Sequence, residues 1–187
     1  MISDEERQQV LDVVRRAEAA PVGLEERLAA VEDRLAIEAL FHRYGYLEDF
    51  GRWEELVDLY TDDVERILGG TLRQHIKGKA ARLEEYARPS LPGKDGRQGD
   101  VGASDRQQLE IKHLITGIVV NVQGDEASAV ARYIISAQAT VGGEHRRGMH
   151  DGSYEFRFRR TPDGWRICRM LVISGNAQNP MFTPKEP

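Results

Sequence analysis

The spacing of apolar residues divides the chain into a helical first half and an extended second half. From about residue 24 to residue 48, apolar side chains recur every three or four positions, which predicts an amphipathic helix that buries one face. The members of that face are Leu28, Val31, Leu35, Ile37, Leu40, Phe41, Tyr44 and Leu47. Shorter helical patterns precede it, up to Pro21, and follow it, from Trp53 to Tyr60 and from Lys79 to Ala87.

After residue 108 the period of the pattern changes to two, which is typical of strands. This pattern predicts four strands, which are separated by turns that contain glycine. The strands run through His113, from Ala127 to Val141, up to about Arg160, and from Trp165 to about Ser174. Short extended segments are expected between Val64 and Gly78. Helices followed by a long antiparallel meander predict an α+β fold whose twisted sheet curls around the helices and leaves a concave interior.

Composition narrows the class of protein. The chain has 187 residues, 40% of them apolar and 30% charged, which suits one compact domain. A net charge of −5 favours no nucleic-acid partner. No apolar run approaches the roughly 20 residues of a membrane helix, and the acidic start leads us to expect no secretory signal. Cys168 is the single cysteine, which excludes an internal disulfide and suits a reducing cytoplasm.

Domain organisation is expected to be simple. Residues 1–22 form an N-terminal helical extension, and residues 23–187 form a single domain. The segment Arg88–Asp105 is rich in glycine, proline and aspartate and has few apolar residues. This composition is typical of a disordered segment or of a functional lid, so we expect a mobile loop over 88–105 that orders over bound ligand.

Two histidines are candidates for chemistry. His113 alternates with Leu109, Ile111 and Ile115, and His150 shares a face with Tyr154, Phe156 and Phe158. Both therefore point towards the apolar interior, where an imidazole needs hydrogen-bond partners. From the strands alone, each histidine is either a satisfied core residue or a functional base.

Two carboxylates end the long helix. Glu48 lies one turn from Tyr44 on the same side of the helix, whereas Asp49 is rotated away in a regular helix. A negative charge at a helix C-terminus is mildly unfavourable, which favours another purpose for one of them. The residues alone leave both open. No phosphate-binding glycine loop and no metal-ligand spacing is present in the sequence, so we expect no metal and no cofactor.

Three segments resemble the SnoaL-like branch of the nuclear transport factor 2-like superfamily. They are RLAIEALFHRYGYLEDFGRWEELVDLYTDDV, KHLITGIVV and TPDGWRICRM. The resemblance covers roughly Leu28 to Ser174 and includes scytalone dehydratase, hexachlorocyclohexane dehydrochlorinase and bile acid 7α-dehydratase among its enzymes. It implies a curved, mainly antiparallel sheet closed by N-terminal helices into a cone, a cystatin-like α+β barrel.

The resemblance also implies a site. Several of these enzymes share an Asp–His dyad, which matches Asp49, ahead of Trp53, and His113 in HLITG, where Gly117 replaces an asparagine. Tyr44 stands where the bile acid enzyme has a tyrosine, and Ser136 stands where it has a further acid, which indicates a different proton-transfer scheme. Asp49, His113 and Tyr44 are the expected catalytic residues. The expected substrate-binding residues are His150, Tyr60, Tyr133, Ser136 and Trp53.

The expected function is a cofactor-independent lyase, a dehydratase, acting on a small, largely apolar cyclic or aromatic substrate, as in polyketide or steroid metabolism. An isomerase or cyclase would use the same proton abstraction, and a binding or accessory module would do no chemistry. A closed cavity with Asp49 hydrogen-bonded to His113 favours an enzyme, whereas an apolar-filled cone without that contact favours a binding module. The resemblance also implies a homodimer or homotrimer formed through the sheet surface.

Overall fold

The computed structural model describes residues 4–16, 23–68, 74–87, 90–92, 98–100, 110–141 and 144–174. The helices are α1 (Asp4–Arg16), α2 (Leu24–Asp49), α3 (Trp53–Val57) and α4 (Lys79–Ala87). The strands are β1 (Tyr60–Leu68), β2 (Gln74–Lys77), β3 (Ser90–Pro92), β4 (Gln98–Asp100), β5 (Glu110–Gln123), β6 (Glu126–Val141), β7 (Glu144–Thr161) and β8 (Gly164–Ser174).

One curved sheet organises the domain, and its strands follow the order β2-β1-β8-β7-β6-β5. β1 runs parallel to β8, and the other neighbours are antiparallel, so the chain crosses the sheet once and then returns as a meander. The α+β class and the mainly antiparallel sheet are confirmed. The sheet is not closed on itself, because β2 and β5 remain edges, and α2 lies against its concave face.

The second half of α2 covers that face through aromatic packing. The ring of Phe41 stacks on Phe156 with centroids 4.7 Å apart, and both side chains are fully buried. Asp33 ties the helix to the turn between β7 and β8, since it accepts hydrogen bonds from the Arg160 guanidinium at 2.7 and 2.8 Å and from the Trp165 indole at 2.9 Å. The Arg160 hydrogen bond lowers the pKa of the Asp33 carboxyl.

The single buried face predicted for α2 is wrong for the first half of the helix. Ile37, Leu40, Phe41 and Tyr44 are buried, whereas Leu28, Val31 and Leu35 are exposed. At 3.6 residues per turn, Leu35 and Ile37 point about 200° apart, so the two groups lie on opposite faces. Apolar residues are therefore three or four positions apart within each group, but this spacing does not place the two groups on one face of the helix.

One further local expectation differs from the structure, and one departure from the family pattern has a local structural reason. The helical spacing extends from Trp53 to Tyr60, but α3 ends at Val57 and Tyr60 begins β1, because it pairs with Ile167 of β8. Gly117 has a φ of +63° and lies where the β5–β6 register shifts, so it forms a bulge that favours glycine over asparagine.

Some expectations lie partly outside the described residues. They are most of the 88–105 loop, the turn at 142–143 and the link between the N-terminal extension and the domain. Within the described ranges, no helix is both long enough and apolar enough to span a membrane.

Candidate active site

Asp49 and His113 meet where the end of α2 reaches β5. His113 Nδ1 lies 2.7 Å from Asp49 Oδ1, and the His113 backbone N–H donates to both carboxylate oxygens at 2.9 and 3.1 Å. Each side chain is only 8% exposed. The Asp49 carboxylate thus fixes both the ring and the backbone of His113. When Nδ1 is the hydrogen-bond donor, the other ring nitrogen, Nε2, carries no proton and can accept one.

Local glycines allow this approach. Gly45 faces β5, and a Cβ added there would lie 3.5 Å from His113 Cβ and 3.3 Å from Ile115 Cδ1, so the small residue lets the helix approach the strand closely. Gly51 has a φ of +63°, a left-handed conformation that ends α2 two residues after Asp49. The helix therefore stops with Asp49 directed at the edge strand.

Glu48 has a different partner, so the two carboxylates left open by the sequence serve different contacts. The Tyr86 hydroxyl donates to Glu48 Oε1 at 2.9 Å, is 2.9 Å from the Tyr60 hydroxyl and receives a hydrogen bond from Arg82. Arg82 is 1% exposed and also pairs with Glu85, which accepts from Arg66 at 2.9 Å. This network fastens α4 to the end of α2.

The network was missed from the sequence, although Arg82, Glu85 and Tyr86 share one face of α4 by their spacing. Its partners Glu48, Tyr60 and Arg66 are distant in the sequence, so the spacing alone does not reveal the burial. Trp53, an expected substrate-binding residue, stacks on the Tyr86 ring at 4.8 Å, and Tyr60 is buried within the network. Both side chains are thus engaged in packing.

Replacing Tyr86 with Phe tests the network. The change removes the hydroxyl but keeps the ring, leaving buried polar groups without their partner, so we expect the free energy of unfolding to fall by about 1–3 kcal/mol. Urea denaturation measures this loss. Tyr46→Phe is the matched control, since Tyr46 is largely exposed, and it should leave stability unchanged. An equal effect of both substitutions would contradict the role of the network.

Tyr44 lies beside the Asp49–His113 pair. Its ring packs edge-on against His113, with centroids 6.2 Å apart, and against Tyr154 at 5.8 Å. Burial, followed by the nearby charge of Glu48, raises the pKa of the Tyr44 hydroxyl well above its usual value. The hydroxyl therefore stays protonated at neutral pH and is a hydrogen-bond donor.

Tyr133 and His150 extend this aromatic wall along β6 and β7. The Tyr133 ring stacks on Tyr154 at 4.3 Å and lies 5.5 Å from the His150 ring. Burial raises the pKa of Tyr133, and its buried hydroxyl has no hydrogen-bond partner among the described residues. Tyr44, Tyr133 and His150 are thus brought to one wall with the Asp49–His113 pair.

Ser136 is not brought to this wall. It pairs in register with Lys112 of β5 and Met149 of β7, and alternation along β6 places it on the face opposite Tyr133. The expectation that Ser136 lines the site with Tyr133 is therefore incompatible with the strand register. In the ranges that the structure describes, no group of three or more histidine, cysteine, aspartate or glutamate residues is placed to hold a metal ion.

The pKa of His150 gives a pH-dependent prediction. Burial lowers that pKa below its usual value, with Asp151 opposing and His113 reinforcing the shift. The folded state then binds fewer protons than the unfolded state just below pH about 6.5, so stability is lost as the pH falls through that range. We expect the melting temperature of His150→Gln to depend less on pH between about 7.5 and 5.5 than that of the parent. A parallel dependence in both proteins would contradict the shift.

Comparison with known proteins agrees with this architecture. An uncharacterized Mycobacterium tuberculosis protein, Rv2910c, is 29% identical over 148 residues, 77% of this chain and 86% of that one. The crystal structure of an NTF2-like protein with a cystatin-like fold from Novosphingobium aromaticivorans is 28% identical, with a TM-score of 0.61, covering 84% of this chain and 92% of that one.

A hexachlorocyclohexane dehydrochlorinase, LinA type 2, has the same fold. Its TM-score is 0.64 at 16% identity, and the match covers 86% of this chain and 97% of that one. The family model described as a SnoaL-like domain matches residues 29–171, which include most of α2, the α4 network and the meander up to Leu171. This chain therefore belongs to the SnoaL-like domain family.

Proposed function

We propose that this protein is a cofactor-independent lyase that uses His113 as a base to remove a proton next to a carbonyl group and expel a hydroxyl from the neighbouring carbon. The observation that carries the proposal is the buried 2.7 Å contact between His113 Nδ1 and Asp49 Oδ1. A carboxylate on one ring nitrogen fixes the tautomer and leaves the lone pair of the other nitrogen available to accept a proton, which is what a general base requires.

The neighbouring side chains fit this reaction. Tyr44 keeps its proton and can donate a hydrogen bond to the substrate carbonyl as negative charge develops on that oxygen. The protonated His113 then returns its proton to the leaving hydroxyl, so the products are an unsaturated carbonyl compound and water. The rings of Tyr133 and Tyr154 favour a flat, largely apolar substrate.

The proposal is tested by identifying the products that the protein forms in heavy water. A panel of cyclic β-hydroxy ketones is incubated with the protein in D2O and analysed by mass spectrometry. A lyase yields compounds lacking one water. Deuterium uptake next to the carbonyl without loss of water would indicate an isomerase or cyclase, and a thermal shift with neither change would indicate a binding module. His113→Gln is the control and should yield neither product.

The Tyr133 hydroxyl gives a second measurement. Because it is buried without a hydrogen-bond partner in the described part of the chain, Tyr133→Phe removes a polar group that the folded protein does not satisfy, and stability should be unchanged or slightly higher. If the hydroxyl binds substrate, KM should rise about tenfold, the effect of losing roughly 1.4 kcal/mol of binding. A large fall in melting temperature would contradict this assignment of the hydroxyl.

A further inference from the structure

Helix α2 carries a second apolar face, which the domain does not use. We call Leu24, Leu28, Val31 and Leu35 the outer stripe, and their exposed fractions are 80, 58, 54 and 60%. Their spacings of four, three and four residues align them in one row with the seven-residue period of a coiled coil. The row lies opposite the buried face that begins at Ile37.

The helix is held so that this row points outward. Asp33, fixed by Arg160 and Trp165, lies on the inner side of α2. Every residue from 24 to 29 is exposed, so the first turns extend beyond the sheet. Soluble proteins rarely leave a contiguous apolar row uncovered without a binding partner. The second half of α2 is anchored in the core, so the projecting half is already ordered for binding.

The charges beside the outer stripe identify the partner. Glu25 and Glu32 flank it on one side and Arg27 and Arg34 on the other, at the positions where coiled coils place their pairing charges. In a parallel pair of identical helices, Arg27 of each copy lies opposite Glu32 of the other. An antiparallel pair would instead set Arg27 against Arg34 and Glu25 against Glu32. The helix is therefore complementary to a second copy of itself in the parallel direction.

We propose that two copies of this chain form a parallel, two-fold symmetric dimer through the outer stripe. The two-fold axis runs along the helices, so each apolar side chain meets its own counterpart and the Arg27–Glu32 pair occurs twice. A stripe of about three turns is short for a coiled coil, so we expect a dissociation constant in the micromolar range. This interface differs from the sheet surface that the family resemblance implied.

Sedimentation velocity over a concentration series tests the dimer with the full chain. The parent should change from monomer to dimer in the micromolar range, and Leu28→Ala with Val31→Ala should weaken association at least about tenfold. Leu114→Ala is the matched control, because Leu114 is 56% exposed on the outer face of the sheet, and it should leave association unchanged. Melting curves at low concentration should coincide, since all these side chains are exposed.

Charge reversal tests the direction of the helices. Arg27→Glu and Glu32→Arg should each weaken the dimer about fivefold or more, and the double variant should return to within about twofold of the parent. In an antiparallel pair, Arg27→Glu would strengthen association, since the introduced carboxylate would then face Arg34. That result would overturn the proposal. So would a parent that remains monomeric up to about 1 mM, a parent that forms a trimer, or a dimer that is insensitive to the Leu28 and Val31 changes.

Discussion

His113→Gln should reduce turnover of the eventual substrate by about 10²–10⁴-fold, the usual contribution of a general base. Glutamine retains much of the size of histidine and some of its hydrogen bonding, but it does not titrate near neutral pH. We expect the melting temperature to move only slightly, because the backbone N–H of residue 113 still donates to Asp49. Steady-state kinetics and thermal melts, measured together, separate catalysis from packing.

The double variant adds a stricter test. Asp49→Asn should also lose activity, since an amide can support the wrong imidazole tautomer, and His113→Gln with Asp49→Asn should be little worse than either single change. Multiplying losses would show that the two side chains act independently. Unchanged turnover in His113→Gln would rule out the base.

Gly152→Ala should lower the free energy of unfolding by about 3 kcal/mol, the upper part of the range for overpacking a core. Gly152 lies in β7 opposite Tyr133 of β6, and an added Cβ would lie 2.2 Å from the Ile173 carbonyl oxygen and 2.5 Å from the Tyr133 hydroxyl oxygen. The carbonyl belongs to the adjacent strand β8, so it has little freedom to move away. Urea denaturation measures the loss.

Gly23→Ala is the matched control for this change. Gly23 precedes α2 with an ordinary extended backbone, and its added Cβ would approach no atom closer than 3.9 Å. Gly23 is the N-cap of α2, where alanine is less favourable than glycine, so we expect a loss of at most about 1 kcal/mol. Similar stabilities for both alanine variants would mean that β7 and β8 separate without cost at Gly152.

The sequence predicts elements well where the local pattern is sufficient. The bounds of α4 agree with its apolar spacing, and the strands β5 to β8 follow from period-two alternation between glycine turns. Which face of α2 meets the sheet does not follow from that information, because Leu35 and Ile37 are equally apolar. The choice depends on the position of Phe156 and on the Asp33 contacts, which form across the whole domain.

The candidate site likewise has features that the local sequence pattern predicts and features that depend on long-range contacts. Alternation in β5 predicts that His113 points inward, but it does not distinguish Asp49 from Glu48. That distinction arises from two long-range contacts. Asp49 accepts a hydrogen bond from the backbone of His113 in β5, and Glu48 accepts one from the Tyr86 hydroxyl of α4. Register likewise excludes Ser136 from the wall, because a side chain one position away in a strand points to the other face.

The hydrogen bond from the His113 backbone to Asp49 also bears on self-association of the sheet. β5 is an edge strand, and the His113 N–H points away from β6, towards the side where a foreign strand could add. The Asp49 carboxylate occupies the place that a carbonyl of such a strand would take, and it sets a negative charge there. The carboxylate that fixes the His113 ring therefore also protects an open β edge against unwanted strand addition.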